Sequence, residues 1–251
     1  MQVLKDTDFL SLWELGRPLH PLDRSLLAIH AAFPEMRAEN LADWPIGRRN
    51  RALVELRTSC FGSALQAWTS CPQCGEKVEL ALDGRALLEQ TMQPNRDLDR
   101  KPVQTVAVNG ETFRLPTSRD LAGLVNSSGN KGTDEEDSSA AAISLLNSCL
   151  IGGEVSLPQN WSEEQLEQIG EKLAEADPLA DILLGFECPS CSATCSEALD
   201  LTAFLWTEIE AQVRRLLHEI HILASAYGWS ESEILSLSDF RRRLYLEMVQ
   251  A

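Results

Sequence analysis

The stretch that decides the fold reads CPQCGEKVELALD over residues 71–83, and it returns as CPSCSATCSEALD over residues 188–200. Both copies begin with Cys-Pro-x-Cys and end with Ala-Leu-Asp in the same register. One such turn aims two thiolates at a common point, and two turns complete a sulfur tetrahedron around an ion. The repeat therefore predicts one structural Zn²⁺ site, formed by Cys71, Cys74, Cys188 and Cys191.

Two other uses of these cysteines stay open at this stage, a redox CxxC pair and simple buried thiols. A redox pair usually opens a helix in a βαβ unit, whereas both pairs here precede strand-like segments. A catalytic zinc keeps an open coordination position, which four thiolates would fill. Cys195 aligns with Val78 of the first copy, so we expect it to pack. Cys60 and Cys149 are expected to be small core residues.

Each Cys-Pro-x-Cys turn, residues 71–74 or 188–191, is called a knuckle. Each knuckle is predicted to lie between a helix and a short strand. Arg48 to Trp68 has apolar residues at helical spacing, and LADILLGF after Asp177-Pro178 suggests a second helix ending at Phe186. The segments after the cysteines alternate as strands do. This gives a helix–knuckle–strand unit that occurs twice.

The rest of the chain predicts helices around a small β portion. Alternating residues on both sides of Asn109-Gly110 predict a β-hairpin over 103–115. Asp200 is expected to cap a long helix to about Tyr227, with its apolar stripe at spacings of three and four. A helical hairpin should follow, with Phe240, Leu244 and Met248 packed and Arg241, Arg242 and Arg243 outside.

The predicted fold class is therefore α+β, mainly α-helical, with a zinc-ribbon-like pair of CPxC knuckles. Zinc should join five segments into one unit: a helical segment 1–70, the first knuckle and hairpin 71–125, a flexible linker 126–139, helices and the second knuckle 140–200, and the C-terminal helical hairpin 201–251. The long C-terminal helix is expected to cross the N-terminal helices, with the 103–115 hairpin near the knuckles.

Charge narrows the classes of partner. The net charge is −16, and residues 61–200 hold 23 acids against nine bases. Such a surface repels phosphates and anionic membranes, so we expect neither nucleic acid nor a membrane as partner. No apolar run approaches a membrane span, and the N-terminal residues do not resemble a signal peptide. No nucleophile, phosphate-loop or dinucleotide motif occurs, so we expect no enzyme and no small-molecule substrate. The expected location is the cytoplasm.

The C-terminal region carries a family resemblance. Its specific residues are Glu219-Ile220-His221, the AYGWSESEIL turn from Ala226 to Leu235, and the Arg-Arg-Arg-x-Tyr-Leu ending from Arg241 to Leu246. With the paired knuckles and the DPLADILL stretch, they resemble the T4-type baseplate hub assembly chaperone (baseplate protein) family of contractile phage tails and contractile injection systems. The resemblance covers most of residues 50–251.

This resemblance implies a non-enzymatic role in building a baseplate, with hub or other tail proteins as partners and possible retention in the finished particle. No catalytic residue carries over. We expect the partner surface to lie on the C-terminal helical hairpin, around Tyr227, Trp229, Arg241, Arg242 and Arg243. The alternative function is a zinc-ribbon adaptor or regulator, or a CxxC redox protein, unrelated to tails.

Overall fold

The protein is a mainly helical α+β chain, as its sequence predicts. The computed structural model describes residues 1–90, 105–127, 135–152 and 161–250. Within these ranges the helices are α1 Asp6–Gly16, α2 Pro21–Ala32, α3 Ala38–Ala42, α4 Ile46–Phe61, α5 Gly84–Gln90, α6 Ser118–Ser127, α7 Glu135–Cys149, α8 Glu163–Ala176, α9 Leu201–Tyr227, α10 Glu231–Leu235 and α11 Asp239–Gln250. The strands are β1 Ala64–Ser70, β2 Lys77–Asp83, β3 Thr105–Val108, β4 Glu111–Arg114, β5 Leu150–Ile151, β6 Leu183–Glu187 and β7 Thr194–Ala198.

The long helix α9 forms the centre of the main core. The Asp200 carboxylate accepts a hydrogen bond from the Ala203 backbone N–H and caps its start, and Gly228 ends it in the left-handed conformation. The predicted apolar stripe is buried from Leu205 to Leu223 and packs against α1, α2 and α4. The prediction that this helix crosses the N-terminal helices is therefore confirmed.

A second core lies under the three-stranded sheet β3–β4–β5. The Asn109-Gly110 turn has positive φ at both residues, which fixes the predicted hairpin over 105–114. Phe113 and Cys149 are fully buried there, and α7 and α8 close the cluster with Trp161. The hairpin was expected near the knuckles, but its apolar face belongs to this separate core. Residues 103–104 lie outside the described ranges.

Two predicted helices are wrong where they approach the knuckles. The helix expected from Arg48 to Trp68 ends at Phe61, because Gly62 takes a φ of +90° and the chain turns into β1. No helix forms through LADILLGF, because its first half is a turn and its second half, residues 183–186, belongs to strand β6. Residues 1–70 are therefore not all helical. Each knuckle joins the two strands of an antiparallel hairpin, β1–β2 or β6–β7, and each hairpin forms its own two-stranded sheet.

The segment predicted as a flexible linker, residues 126–139, is helical at both of its ends. Helix α6 continues to Ser127 and α7 begins at Glu135, five residues before the predicted start at Ala140. Residues 128–134 lie outside the described ranges. The proposed division of the chain into five segments stays a prediction.

Helix α11 presents the opposite face from the one predicted. Phe240, Leu244 and Met248 were expected to pack, but Phe240 is 71% exposed and Met248 64% exposed. Arg242 was expected outside, but it is only 3% exposed. The buried arginine binds the carboxylates of Asp6 and Glu219, and Tyr245 and Leu246 pack against the main core from the same helix, so ion pairs and these side chains together set which face of α11 turns inward.

Candidate metal centre

The two knuckles have the same backbone structure. In the first, the Cys71 N–H donates to the Glu76 carbonyl at 2.8 Å and the Gly75 N–H donates to the Cys71 carbonyl at 2.9 Å. In the second, both bonds recur 117 residues later: Cys188 donates to Ala193, and Ser192 donates to Cys188, each at 2.9 Å. The repeated phrase therefore encodes a repeated strand–knuckle–strand hairpin, not the predicted helix–knuckle–strand unit.

A left-handed residue completes each knuckle directly after its second cysteine. Gly75 has a φ of +76°, and Ser192 occupies the equivalent position with a φ of +57°. Glycine adopts this conformation without steric cost, whereas a residue with a Cβ does so at a cost of about 1 kcal/mol. The second knuckle is therefore the more strained of the two.

The four predicted ligands meet at one point. The Cys71 and Cys191 Sγ atoms are 3.7 Å apart, those of Cys74 and Cys188 are 3.6 Å apart, and all four sulfurs lie within 4.8 Å of one another. A tetrahedral ion with bonds of about 2.3 Å to sulfur requires sulfur–sulfur edges of about 3.8 Å. The two short separations match these edges, and both exceed the roughly 2.05 Å of a disulfide. The cluster is therefore compatible with a metal ion.

Each knuckle contributes one inner and one outer cysteine. Cys71 and Cys188 are buried, where Phe186 and Ala193 pack against them, while Cys74 and Cys191 face solvent. Each close sulfur pair joins one cysteine from each knuckle. A metal held here would therefore bind the two hairpins to each other, and not only close each turn.

The electrostatics of the cluster oppose four thiolates in the absence of a cation. Backbone N–H groups of Cys74 and Gln73 lower the pKa of Cys71 to about 6. The Glu76 backbone N–H lowers the pKa of Cys74, but burial and the neighbouring cysteines outweigh it and raise that pKa to about 12. Like charges at such distances disfavour ionisation. A divalent cation would supply the compensating charge, and these donors suit a thiophilic metal.

The remaining cysteines lie outside this set of four. Cys195 occupies the position of Val78 in the second hairpin and is buried beside Cys71, with its thiol donating to the Ala193 carbonyl at 3.7 Å. Cys149 is buried in the second core, as predicted. Cys60 is half-buried at the edge of the main core.

The residues predicted as a partner surface divide into two groups. Tyr227 and Trp229 stack with ring centroids 4.7 Å apart, and Tyr245 packs edge-on against both rings. This aromatic cluster fastens α11 to the end of α9. Arg241 and Arg243 are exposed, but Arg242 is buried within the chain, so its assignment to an accessible surface is wrong.

The sequence argument placed the exposed apolar residues of this region in the core. Phe240, Leu244 and Met248 form a stripe at i, i+4 and i+8, a spacing that predicts an amphipathic helix but not which way its face turns. The sequence therefore contains the amphipathic pattern of this helix. The side to which the apolar face turns depends on distant contacts, among them the carboxylates that bind Arg242.

The fold and site define an α+β protein in which two antiparallel hairpins present a four-cysteine cluster beside a helical core. Comparison with protein-family models, with curated proteins and with solved structures gives no match. In the part of the chain that the structure describes, no helix combines the length and apolar character needed to cross a bilayer.

Proposed function

We propose that this protein is a non-enzymatic protein-binding component or assembly chaperone for the baseplate or hub of a contractile phage tail or contractile injection system. A structural Zn²⁺ held by Cys71, Cys74, Cys188 and Cys191 stabilises the fold that presents its partner-binding surface. The C-terminal sequence resemblance supports the tail assignment. The sulfur geometry supports the ion, since four thiolates fill a tetrahedral zinc and leave no position for a substrate.

The observation that carries a protein-binding role is the outward face of α11. Phe240, Leu244 and Met248 form an apolar stripe there, between the exposed guanidinium groups of Arg241 and Arg243. Apolar and arginine side chains at one surface are typical of protein interfaces. We name these five residues the α11 face.

Capture from cells that assemble such a particle tests this function. We expect a tagged chain to recover a baseplate or hub protein, and Phe240→Asp with Met248→Asp to abolish the recovery. Leu15→Asp, on an equally exposed leucine of α1, serves as the matched control and should recover the partner normally. Recovery of no tail protein by the unmodified chain would overturn the proposal.

The place of action follows from the same proposal. The chain acts in the cytoplasm during assembly, and mass spectrometry of purified particles separates a transient chaperone from a retained component. A chaperone is absent from finished particles, whereas a structural part is present at fixed stoichiometry.

The four-cysteine cluster also suits the alternative of a zinc-ribbon adaptor unrelated to tails, or a redox protein. Metal analysis and thiol titration separate these uses. A structural site gives one zinc per chain and four thiols that react only after a strong chelator is added. A redox pair gives metal-free thiols that cycle with a reductant, although its usual place is a helix start and not a hairpin turn.

A further inference from the structure

A groove of about 630 Å³ lies between the two hairpins. Residues 79–82 of β2 line one side and residues 183–185 of β6 line the other, with Leu87 and the turn 178–182 at the base. Side chains alternate between the two faces of a strand. Consecutive residues can line one cavity only if the edge of the strand faces it. Both β2 and β6 therefore turn an edge towards the groove.

Hydrogen bonds at the ends of the first hairpin fix which backbone groups point into the groove. The Cys71 N–H donates to Glu76 and the Gly84 N–H donates to Ser63, so the ladder bonds of β2 fall at its even-numbered residues. Antiparallel ladders alternate between bonded and outward-pointing residues. The N–H and carbonyl groups of Glu79 and Ala81 therefore point away from β1.

The second hairpin follows the same rule. The Cys188 N–H donates to Ala193 and the Leu199 N–H donates to Ile182, which again places the ladder bonds of β6 at even-numbered residues. The backbone groups of Leu183 and Gly185 therefore point outward. A Cβ at Gly185 would meet no atom within 4 Å, so the sheet face at this position is open as well.

These two edges do not pair with each other. Strands β2 and β6 belong to separate sheets, and no backbone hydrogen bond joins them in the described ranges. An exposed strand edge is a template for another strand. A strand placed between two edges can bond to both, which would join the two hairpins into one sheet.

The residues that line the groove indicate which side chains the added strand would have. The charged residues that line the groove are Glu79 and Asp181, both acidic, and its other lining residues are leucine, isoleucine, alanine, proline and glycine. An extended segment with alternating apolar and basic residues would match this lining. Leu183, which is 62% exposed, offers it an apolar contact at the rim.

We propose that the groove binds an extended segment of a protein partner, rich in Lys or Arg and in apolar residues, as an added strand between β2 and β6. This inference rests on the proposed protein-binding function and gives it a recognition mode. Main-chain hydrogen bonds would supply affinity, and Glu79 and Asp181 in the lining would supply specificity. The groove is separate from the α11 face.

Hydrogen exchange of the zinc-loaded full chain with the synthetic peptide acetyl-Lys-Val-Lys-Val-Lys-Val-amide tests the proposal. We expect the peptide to slow exchange at the outward-pointing amides of Glu79, Ala81, Leu183 and Gly185, which make no ladder bond in their own hairpins. The same peptide N-methylated at its valines keeps its charge but loses the N–H donors along one edge, so it should protect at most one of the two hairpins. Equal protection by both peptides would overturn strand addition, as would full protection of these amides before any peptide is added.

A proline substitution in the protein tests whether the outward edge of β2 pairs with the peptide. The outward N–H of Ala81 makes no ladder bond, so Ala81→Pro should leave the hairpin intact while it blocks the added strand. We expect it to weaken peptide binding about tenfold or more. Ser196→Pro, at an outward position of β7 away from the groove, is the matched control and should bind normally.

The two proposals fail in different ways. Capture of a tail protein by the unmodified chain, without peptide protection at β2 and β6, would overturn the groove and leave the proposed function standing. Peptide protection that disappears in Ala81→Pro supports the groove, whichever protein the chain recovers from cells.

Discussion

Arg242 joins three helices through its guanidinium group. Its Nε donates to Glu219 of α9 at 2.8 Å, and Nη2 binds both Asp6 of α1 and Asp239 of α11. Burial lowers the pKa of Arg242, but these carboxylates outweigh burial and raise it, so the side chain stays charged. A buried charge is tolerated only when it is paired in this way.

Loss of this arginine should destabilise the protein more than loss of its exposed neighbour. Arg242→Ala leaves Asp6 and Glu219 without their cation, and we expect it to lower the free energy of unfolding by about 3 kcal/mol. Arg243→Ala, one residue away on the exposed side, should change it by less than about 0.5 kcal/mol. Urea unfolding measures both. Equal effects of the two variants would contradict the anchoring role.

Asp120 gives the protein a defined dependence on acid. Burial raises the pKa of its carboxyl, but hydrogen bonds from Arg114 and Thr117 outweigh burial and lower the pKa to about 2. Because this folded value lies below the unfolded 3.8, the contribution is complete above about pH 5 and is lost as pH falls towards 2. It amounts to about 2 kcal/mol at neutral pH.

We therefore expect Asp120→Asn to cost about 2 kcal/mol at pH 7, and about half as much at pH 3. Unfolding of both proteins at each pH measures the difference, and any loss of metal in acid affects both alike. Asp43→Asn is the control, because that carboxylate pairs with Arg119 at the surface and should contribute little. A difference that does not shrink with acid would contradict the assignment.

At the scale of the elements, the residue that follows the second cysteine of each knuckle can be exchanged for the one in the other knuckle. Ser192→Gly should raise the free energy of unfolding by about 1 kcal/mol, since glycine accepts a φ of +57° without strain. Gly75→Ser should lower it by a similar amount. A Cβ at Gly75 would meet nothing within 4 Å, so the cost is conformational. Thermal unfolding of the zinc-loaded variants should show shifts of opposite sign, and shifts of the same sign would contradict this account.

The sequence predicts elements best where local signals agree with packing. The sequence correctly predicts the Asn-Gly hairpin, the Asp200 cap and the apolar stripe of α9, because turn chemistry and apolar spacing are local properties. It does not predict strand β1. Leu65 and Trp68 continue the helical spacing of α4 by coincidence, and this spacing outweighed the helix-end signal that Gly62 gives.

The candidate site was predictable because its CPxC motif occurs twice in the sequence. Two in-register CPxC turns identify four ligands without knowledge of the fold between them. The face of α11 could not be read in this way. Its orientation depends in part on Asp6, which lies 236 residues away from Arg242 in the sequence. A long-range ion pair leaves no local pattern, so apolar spacing alone gave the wrong face.

At the scale of the whole molecule, a metal bound by the four cysteines would act as a cross-link. A metal there ties residue 71 to residue 188, and closure of a loop of that length is worth about 4–5 kcal/mol by chain entropy. We expect a strong zinc chelator, or Cys74→Ser, to lower the unfolding temperature sharply. Cys60→Ser, outside the cluster, should leave both zinc content and unfolding temperature near those of the unmodified chain. A chelator that removes zinc without changing the unfolding temperature would contradict the cross-link.

The separation of the two knuckles also sets an order of events at the ribosome. The second knuckle begins 117 residues after the first, and at about 5–20 residues per second it is synthesised roughly 6 to 23 s later. During that interval the nascent chain has only two of its four thiolates. Helix α9, which covers the apolar faces of α1, α2 and α4, follows later still. Until α9 is synthesised, the apolar faces of these helices lack the partner that covers them in the folded chain, and the four-cysteine cluster is complete only once Cys191 has been added.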